Sequence, residues 1–195
     1  CFSVGTDQVA IQDAAHAGVP VFNAPHASTR SVAELTVGNI IALARRVGDK
    51  NTKLHRGEWD KSLAGAHEVR GRSLGIVGYG HIGQQVGILA EAFGMRVAFH
   101  DIQKKLPLGL SRAVPTLDAL LEQSDFVSLH VPDTPRTRGM IGAAQLGRMP
   151  AGSYLINLSR GSVVDVDALR ESLRAGHLAG AALDVFPSEP APTNA

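Results

Sequence analysis

The stretch LGIVGYGHIGQQVG, residues 74–87, limits the possible folds of this chain more than any other. Leu74 to Val77 is a short apolar run without the alternation of a half-exposed strand, so it reads as a strand covered on both faces. Three glycines follow, at Gly78, Gly80 and Gly83. Ile82, Val86, Leu89, Ala90 and Phe93 then recur at helical spacing, which predicts a helix over residues 81–93. A strand buried on both faces needs strands beside it and helices above and below. The chain supplies them: residues 96–100, 125–130, 153–157 and 181–185 read as strands, and helices open at 117–121 and 166–175. This alternation predicts an α/β fold of the Rossmann type, a doubly wound parallel sheet.

The earlier part of the chain follows another pattern. Residues 9–17 read as a helix and 19–22 as a strand, ended by Asn23, Ala24 and Pro25. Residues 31–46 read as a helix apolar almost all round, the pattern of a helix sandwiched between two bodies, here a connector between domains. Residues 49–72 are polar and carry His55, Arg56, Lys61, His67, Arg70 and Arg72, which reads as a solvated loop with one amphipathic turn.

Composition excludes several classes of function. The 195 residues suffice for one well-filled domain with room for a piece of a second, and the formal charge of +1 provides no field for nucleic acid or anionic lipid. The longest aliphatic run near the middle, residues 40–44, is too short to span a bilayer. The lone cysteine, Cys1, allows no internal disulfide and fits a reducing, cytoplasmic setting. No metal is expected. The chain starts without an initiator methionine and shows no signal peptide, and it reads as an excerpt of a longer protein.

The glycine spacing between a strand and a helix is the fingerprint of a dinucleotide site. The first glycine permits the tight turn, the second lets the backbone approach a pyrophosphate, and the third lets helix and strand pack closely. The free N–H groups at the helix start favour the phosphates. Asp101 ends the next strand, 18 residues after Gly83. A carboxylate there accepts hydrogen bonds from a ribose and repels a 2′-phosphate, so NAD is expected over NADP, a preference tempered by Lys104 and Lys105. The plainer alternative for Asp101 is a turn former after a strand. In such sheets ligands gather beyond the carboxyl ends of the strands, and three further ends are conspicuous: His130-Val131-Pro132, Leu158-Ser159-Arg160, and Asp184. Arg160 is the odd one, a guanidinium following the apolar run of LINLSRGSVVD. From the residues alone it serves equally as a structural ion-pair partner or as a ligand group; Gly161 reads as the point where the chain turns away, and Asp165 as a helix cap.

Seven segments in order carry a resemblance: NAPHASTRSVAE (23–34), HRGEW (55–59), GYGHIG (78–83), DIQKKLPLG (101–109), SLHVPDTPRTRGMIG (128–142), INLSRGSVVD (156–165) and GHLAGAALDVFPSEP (176–190). They resemble the NAD-dependent D-isomer 2-hydroxy acid dehydrogenases, and within that family the bacterial D-3-phosphoglycerate dehydrogenase branch, on HRGEW and DIQKKLPLG. The resemblance implies a nucleotide domain inserted between two segments of a flavodoxin-like substrate domain. Residues 1–27 would be the tail of the first segment, and residues 28–195 an NAD-binding domain lacking its last strand. It implies dimerisation through that domain, with residues 49–62 as interface, and higher homo-oligomers.

It also implies roles. Arg160 would bind the substrate carboxylate and carbonyl, and Glu189 would pair with a catalytic histidine. Tyr79, His81 and Ile82, with Gly78, Gly80 and Gly83, would meet the pyrophosphate, and Asp101 the ribose. His130, Val131 and Pro132 would line the cofactor cleft. Leu158 and Ser159 would line the pocket beside Arg160, and Asp184 would meet the nicotinamide end. Ser28 stands where the family often has Asn, in the substrate region. None of the eight histidines occupies the family's Pro-His position, so the proton-transfer histidine is expected beyond Ala195, and residues 1–195 should turn over little by themselves. The activity implied is oxidation of a 2-hydroxy acid, D-3-phosphoglycerate first, with a sister dehydrogenase acting on glycerate or lactate and an NAD-responsive binding protein of the corepressor type as alternatives.

Overall fold

The computed structural model describes Gly5 and residues 9–188. In chain order the elements are α1 (Ile11–His16), α2 (Thr29–Arg45), α3 (Val47–His55), β1 (Ser73–Val77), α4 (His81–Ala92), β2 (Arg96–His100), β3 (Arg112–Ala113), α5 (Leu117–Leu121), β4 (Phe126–Leu129), α6 (Ala143–Arg148), β5 (Tyr154–Asn157), α7 (Val166–Arg174) and β6 (Gly180–Leu183). A single 3-10 turn, Gly161–Val163, precedes α7. The six strands are all parallel and ordered β3-β2-β1-β4-β5-β6. The order reverses between β1 and β4, which sets a crevice at the carboxyl end of that junction.

Both faces of the sheet are covered, which is why its strands are continuous apolar runs. Leu74 and Ile76 of β1 and Ile156 of β5 point into one layer, with Ala33, Ile40, Val86, Phe99 and Phe126, beneath α2 and α4. Val77 and Leu155 point into the other, with Leu120, Leu129, Leu146 and Leu169, beneath α5, α6 and α7. Gly75 is required by packing: a Cβ there would stand 2.2 Å from the Ser124 hydroxyl.

Several expectations need correction. Residues 19–22 form no strand: Val19 and Phe22 are exposed, and no described strand pairs with them. An apolar run without a neighbouring strand has nowhere to place its backbone hydrogen bonds. The helix expected at 9–17 is the shorter α1, with no buried residue. The segment 49–72 holds more than one turn, since α3 is a nine-residue helix tied to the following loop by Lys53 Nζ on Asp60 Oδ2 at 2.7 Å and Lys50 Nζ on the Ser62 carbonyl. Helix α2 buries its own Ala33, Thr36, Val37, Ile40 and Ala44 and leaves Leu35 exposed. Asp165 caps α7 as expected, accepting from the Ala168 N–H at 3.0 Å.

Candidate functional site

The register of the sheet aligns its carboxyl ends in one row. His100, Val77, Leu129, Asn157 and Leu183 are mutual partners across β2, β1, β4, β5 and β6. The residues one step further on are Asp101, Gly78, His130, Leu158 and Asp184. Backbone bonds extend the row: Gly78 N–H donates to the His100 carbonyl, His130 N–H to Val77, and Asp184 N–H to Asn157. Every strand-end residue singled out from the sequence therefore lies along one edge.

Of the three fingerprint glycines, two are required by packing and the third borders open space. Gly78 has φ +90°, and a Cβ there would lie 2.5 Å from the His130 carbonyl oxygen across the switch point. At Gly83 a Cβ would stand 2.3 Å from the Gly78 carbonyl oxygen and 3.1 Å from Ile76, so α4 could not close on β1. A Cβ at Gly80 would meet no protein atom within 4 Å. No contact among the described residues requires glycine there; open space beside the backbone does suit a close-approaching ligand. Gly80 also caps α4 without a side-chain hydrogen bond, leaving the first N–H groups of this twelve-residue helix available to an anion. The residues thus fit a dinucleotide pyrophosphate.

The Tyr79 side chain is turned away from the glycine turn. Its ring is fully buried, stacked on Phe99 at 3.7 Å between centroids, and its hydroxyl shares a 2.7 Å hydrogen bond with Ser111. Only its backbone borders the turn, and its N–H is given to Asp101 Oδ2 at 2.8 Å. The other Asp101 oxygen accepts from Gln103 N–H. These two bonds orient the carboxylate at the end of β2, against a cavity of about 170 Å³ also lined by Ile102, Lys104 and Lys105. Lys105 Nζ is turned to the Gln103 side chain.

His81 opens α4 exposed, and His26 meets it edge-on with ring centroids 4.4 Å apart. This contact brings the segment before α2, and with it Ser28, towards the glycine turn. Ser28 accepts from Val32 N–H through its carbonyl, and its hydroxyl makes no cap bond. Ile82 packs partly into the core.

His130 shares a 2.9 Å hydrogen bond with Ser128 through Nε2, and desolvation lowers its pKa from 6.5 to about 4. At that pKa the imidazole is neutral at physiological pH. Between pH 6.5 and 4 the unfolded chain takes up a proton that folded His130 refuses, so this group's effect is loss of stability as pH falls through that window. Urea unfolding at pH 7 and pH 4 should show the wild type losing about 2 kcal/mol more than His130→Gln. Val131 is partly covered and Pro132 exposed at the same rim.

At the end of β5 a residue the sequence reading passed over organises the turn. Asn157 is buried; its Oδ1 accepts from Ser159 N–H and Oγ, and its Nδ2 donates to the Arg160 carbonyl at 3.0 Å. The only sequence signal was an Asn at a strand end, a turn former by its side-chain hydrogen bonds. Leu158 is buried in the core layer. Arg160 is partly buried, and its Nη1 donates to the Ser159 carbonyl at 2.8 Å. Gly161 does not turn the chain away through a special φ. It is needed because a Cβ there would stand 2.0 Å from the Phe186 backbone, so the segment after Asp184 crosses directly over it. Asp184 is exposed at the row's end. Glu189 lies outside the described residues.

The chain spans about half the length of the curated relatives it matches. It is 57% identical over 191 residues to the D-3-phosphoglycerate dehydrogenase of Escherichia coli K12, covering 98% of this chain and 47% of that protein. Among solved structures it resembles the D-lactate dehydrogenase of Aquifex aeolicus complexed with NAD and lactic acid, with TM-score 0.87 and 36% identity, covering 96% of this chain and 57% of that one. It also resembles the NAD-dependent formate dehydrogenase of Staphylococcus aureus in complex with NAD, with TM-score 0.89 and 35% identity, covering 98% and 58%. These names do not favour the corepressor alternative. The profile of the D-isomer specific 2-hydroxyacid dehydrogenase NAD binding domain matches residues 37–195, and the chain belongs to that family.

Proposed function

We propose that this chain is the NAD-binding part of an enzyme that oxidises D-3-phosphoglycerate to 3-phosphohydroxypyruvate, serving serine synthesis in the cytoplasm. The observation that carries the reading is the 57% identity across 98% of the chain to a protein named for that reaction. NAD supplies the hydride acceptor. The chain's own residues do the rest of what falls to them. The turn from Gly78 to Gly83 and the start of α4 hold the pyrophosphate, and Asp101 accepts from the ribose. His130, Val131, Pro132, Leu158 and Ser159 wall the cleft, and Asp184 meets the nicotinamide end. Arg160 holds the substrate carboxylate, a task for which a planar guanidinium fork is suited. Ser28 borders the substrate. Glu189 orients a histidine, supplied by the remainder of the protein, that takes the hydroxyl proton.

Residues 1–27 are read as the tail of a substrate domain, and residues 28–195 as an NAD-binding domain completed by later chain. Two copies pair through it, using the segment 49–62, where Leu54 and Trp59 are exposed. The test of substrate is a comparison of initial rates in the full-length protein. 3-Phosphoglycerate should exceed D-glycerate in kcat/KM by about a hundredfold, the worth of one or two charge-assisted hydrogen bonds to the phosphate. Equal rates, or preference for the unphosphorylated acid, would assign the chain to a sister dehydrogenase.

A further inference from the structure

The cavity beside Asp101 is lined from both arms of the loop that joins β2 to β3, by residues 101–105 on one arm and 113–115 on the other. Little apolar burial holds this loop. Ile102, Leu106 and Leu110 are exposed, and β3 pairs with β2 over two residues only. A loop built in this way keeps one shape only if hydrogen bonds fix it.

Two side chains outside the loop supply those bonds. The first is Tyr79, which reaches both ends. Its backbone N–H holds Asp101 Oδ2 at the near end. Its hydroxyl serves the far end. Ser111 has one hydroxyl proton and gives it to the Leu108 carbonyl. The Tyr79 hydroxyl therefore donates to Ser111 Oγ at 2.7 Å, and it accepts from Leu108 N–H at 3.4 Å. The second is Glu91, in the last turn of α4. Both of its carboxylate oxygens face Leu110 N–H, at 3.1 and 3.0 Å. Gly109 beside it has φ +63°, and a Cβ there would run into the same carboxylate. An acidic side chain in the last turn opposes the helix dipole, so the stability of α4 does not account for Glu91.

We propose that Glu91 and the Tyr79 hydroxyl are positioning groups for the adenosine end of NAD. Neither Glu91 nor Tyr79 lines the cavity; each fixes the loop whose two arms do. The loop thus gives up its freedom before the cofactor arrives, and binding does not have to order it. This inference rests on the reading of Asp101 as the ribose contact, and its test separates the two.

In the full-length protein, Glu91→Ala should weaken the binding of AMP and of NADH about fivefold each, as measured by calorimetric titration. KM for NAD should rise about as much, while kcat and KM for the 2-hydroxy acid stay within about twofold. Hydrogen exchange at the Leu110 amide should quicken in the same variant. Glu91→Gln keeps an oxygen to accept from Leu110 N–H, and it should bind AMP within about twofold of the wild type. Tyr79→Phe keeps the ring on Phe99 and loses only the hydroxyl, and AMP should bind it about fivefold more weakly. Unaltered AMP affinity in Glu91→Ala and Tyr79→Phe overturns the proposal. So does a loss in Glu91→Ala that Glu91→Gln fails to restore, or one matched by an equal rise in KM for the 2-hydroxy acid, because either marks a merely structural role. Equal wild-type affinity for AMP and 2′-deoxy-AMP would defeat the ribose reading of Asp101, and the AMP affinities of the variants would still decide this one.

Discussion

Gly83→Ala should cost about 3 kcal/mol or more of folding stability and lower the melting temperature by roughly 6–12 °C, as followed by calorimetry. The added Cβ would lie 2.3 Å from the Gly78 carbonyl oxygen, and backbone cannot yield as a flexible side chain can. To relieve the clash α4 must withdraw from β1, which also loosens the core layer that Val86 and Ala90 share with Ile76. Cofactor affinity should fall too, but only because the helix start has moved. A Gly83→Ala protein as stable as the wild type would mean that the approach of α4 to β1 is looser than these distances require.

Arg160→Ala should lower kcat/KM for the 2-hydroxy acid by about a thousandfold in the full-length enzyme, while NADH affinity changes little. Two charge-assisted hydrogen bonds to a carboxylate, at about 2 kcal/mol each, account for that size. Arg160→Lys should recover only part of it, because an ammonium has no planar fork. The steady-state comparison is informative because Arg160 also donates to the Ser159 carbonyl. Were that its whole purpose, the alanine variant would lose stability and keep its kcat/KM.

How far the sequence anticipates all this depends on where the information lies. The sheet was legible because a strand buried on both faces must be apolar throughout, and β2 runs over residues 96–100 as read. The row of strand ends was legible because parallel strands in register place equivalent positions side by side. The run 19–22 misled because apolarity alone does not supply a partner strand. Helix α6 went unread, as six residues with a glycine among them complete too little of a helical period to be seen. Tyr79 shows the same limit at the site: its place inside the fingerprint says nothing of its side chain, which leaves the turn and stacks on Phe99. Asn157 acts through bonds to neighbours that only the folded chain brings into reach.

The central claim is that the turn from β1 to α4 is shaped for a cofactor and not merely for packing. Gly80 isolates that claim, because a Cβ there meets no protein atom within 4 Å among the described residues. Calorimetric titration of NADH into the full-length protein and its Gly80→Val variant, with melting curves alongside, is the most direct test. The account predicts that the variant keeps its melting temperature within about 2 °C and loses NADH affinity by about a hundredfold or more, as its side chain fills the space the pyrophosphate needs. Equal NADH affinity in the two proteins would contradict it.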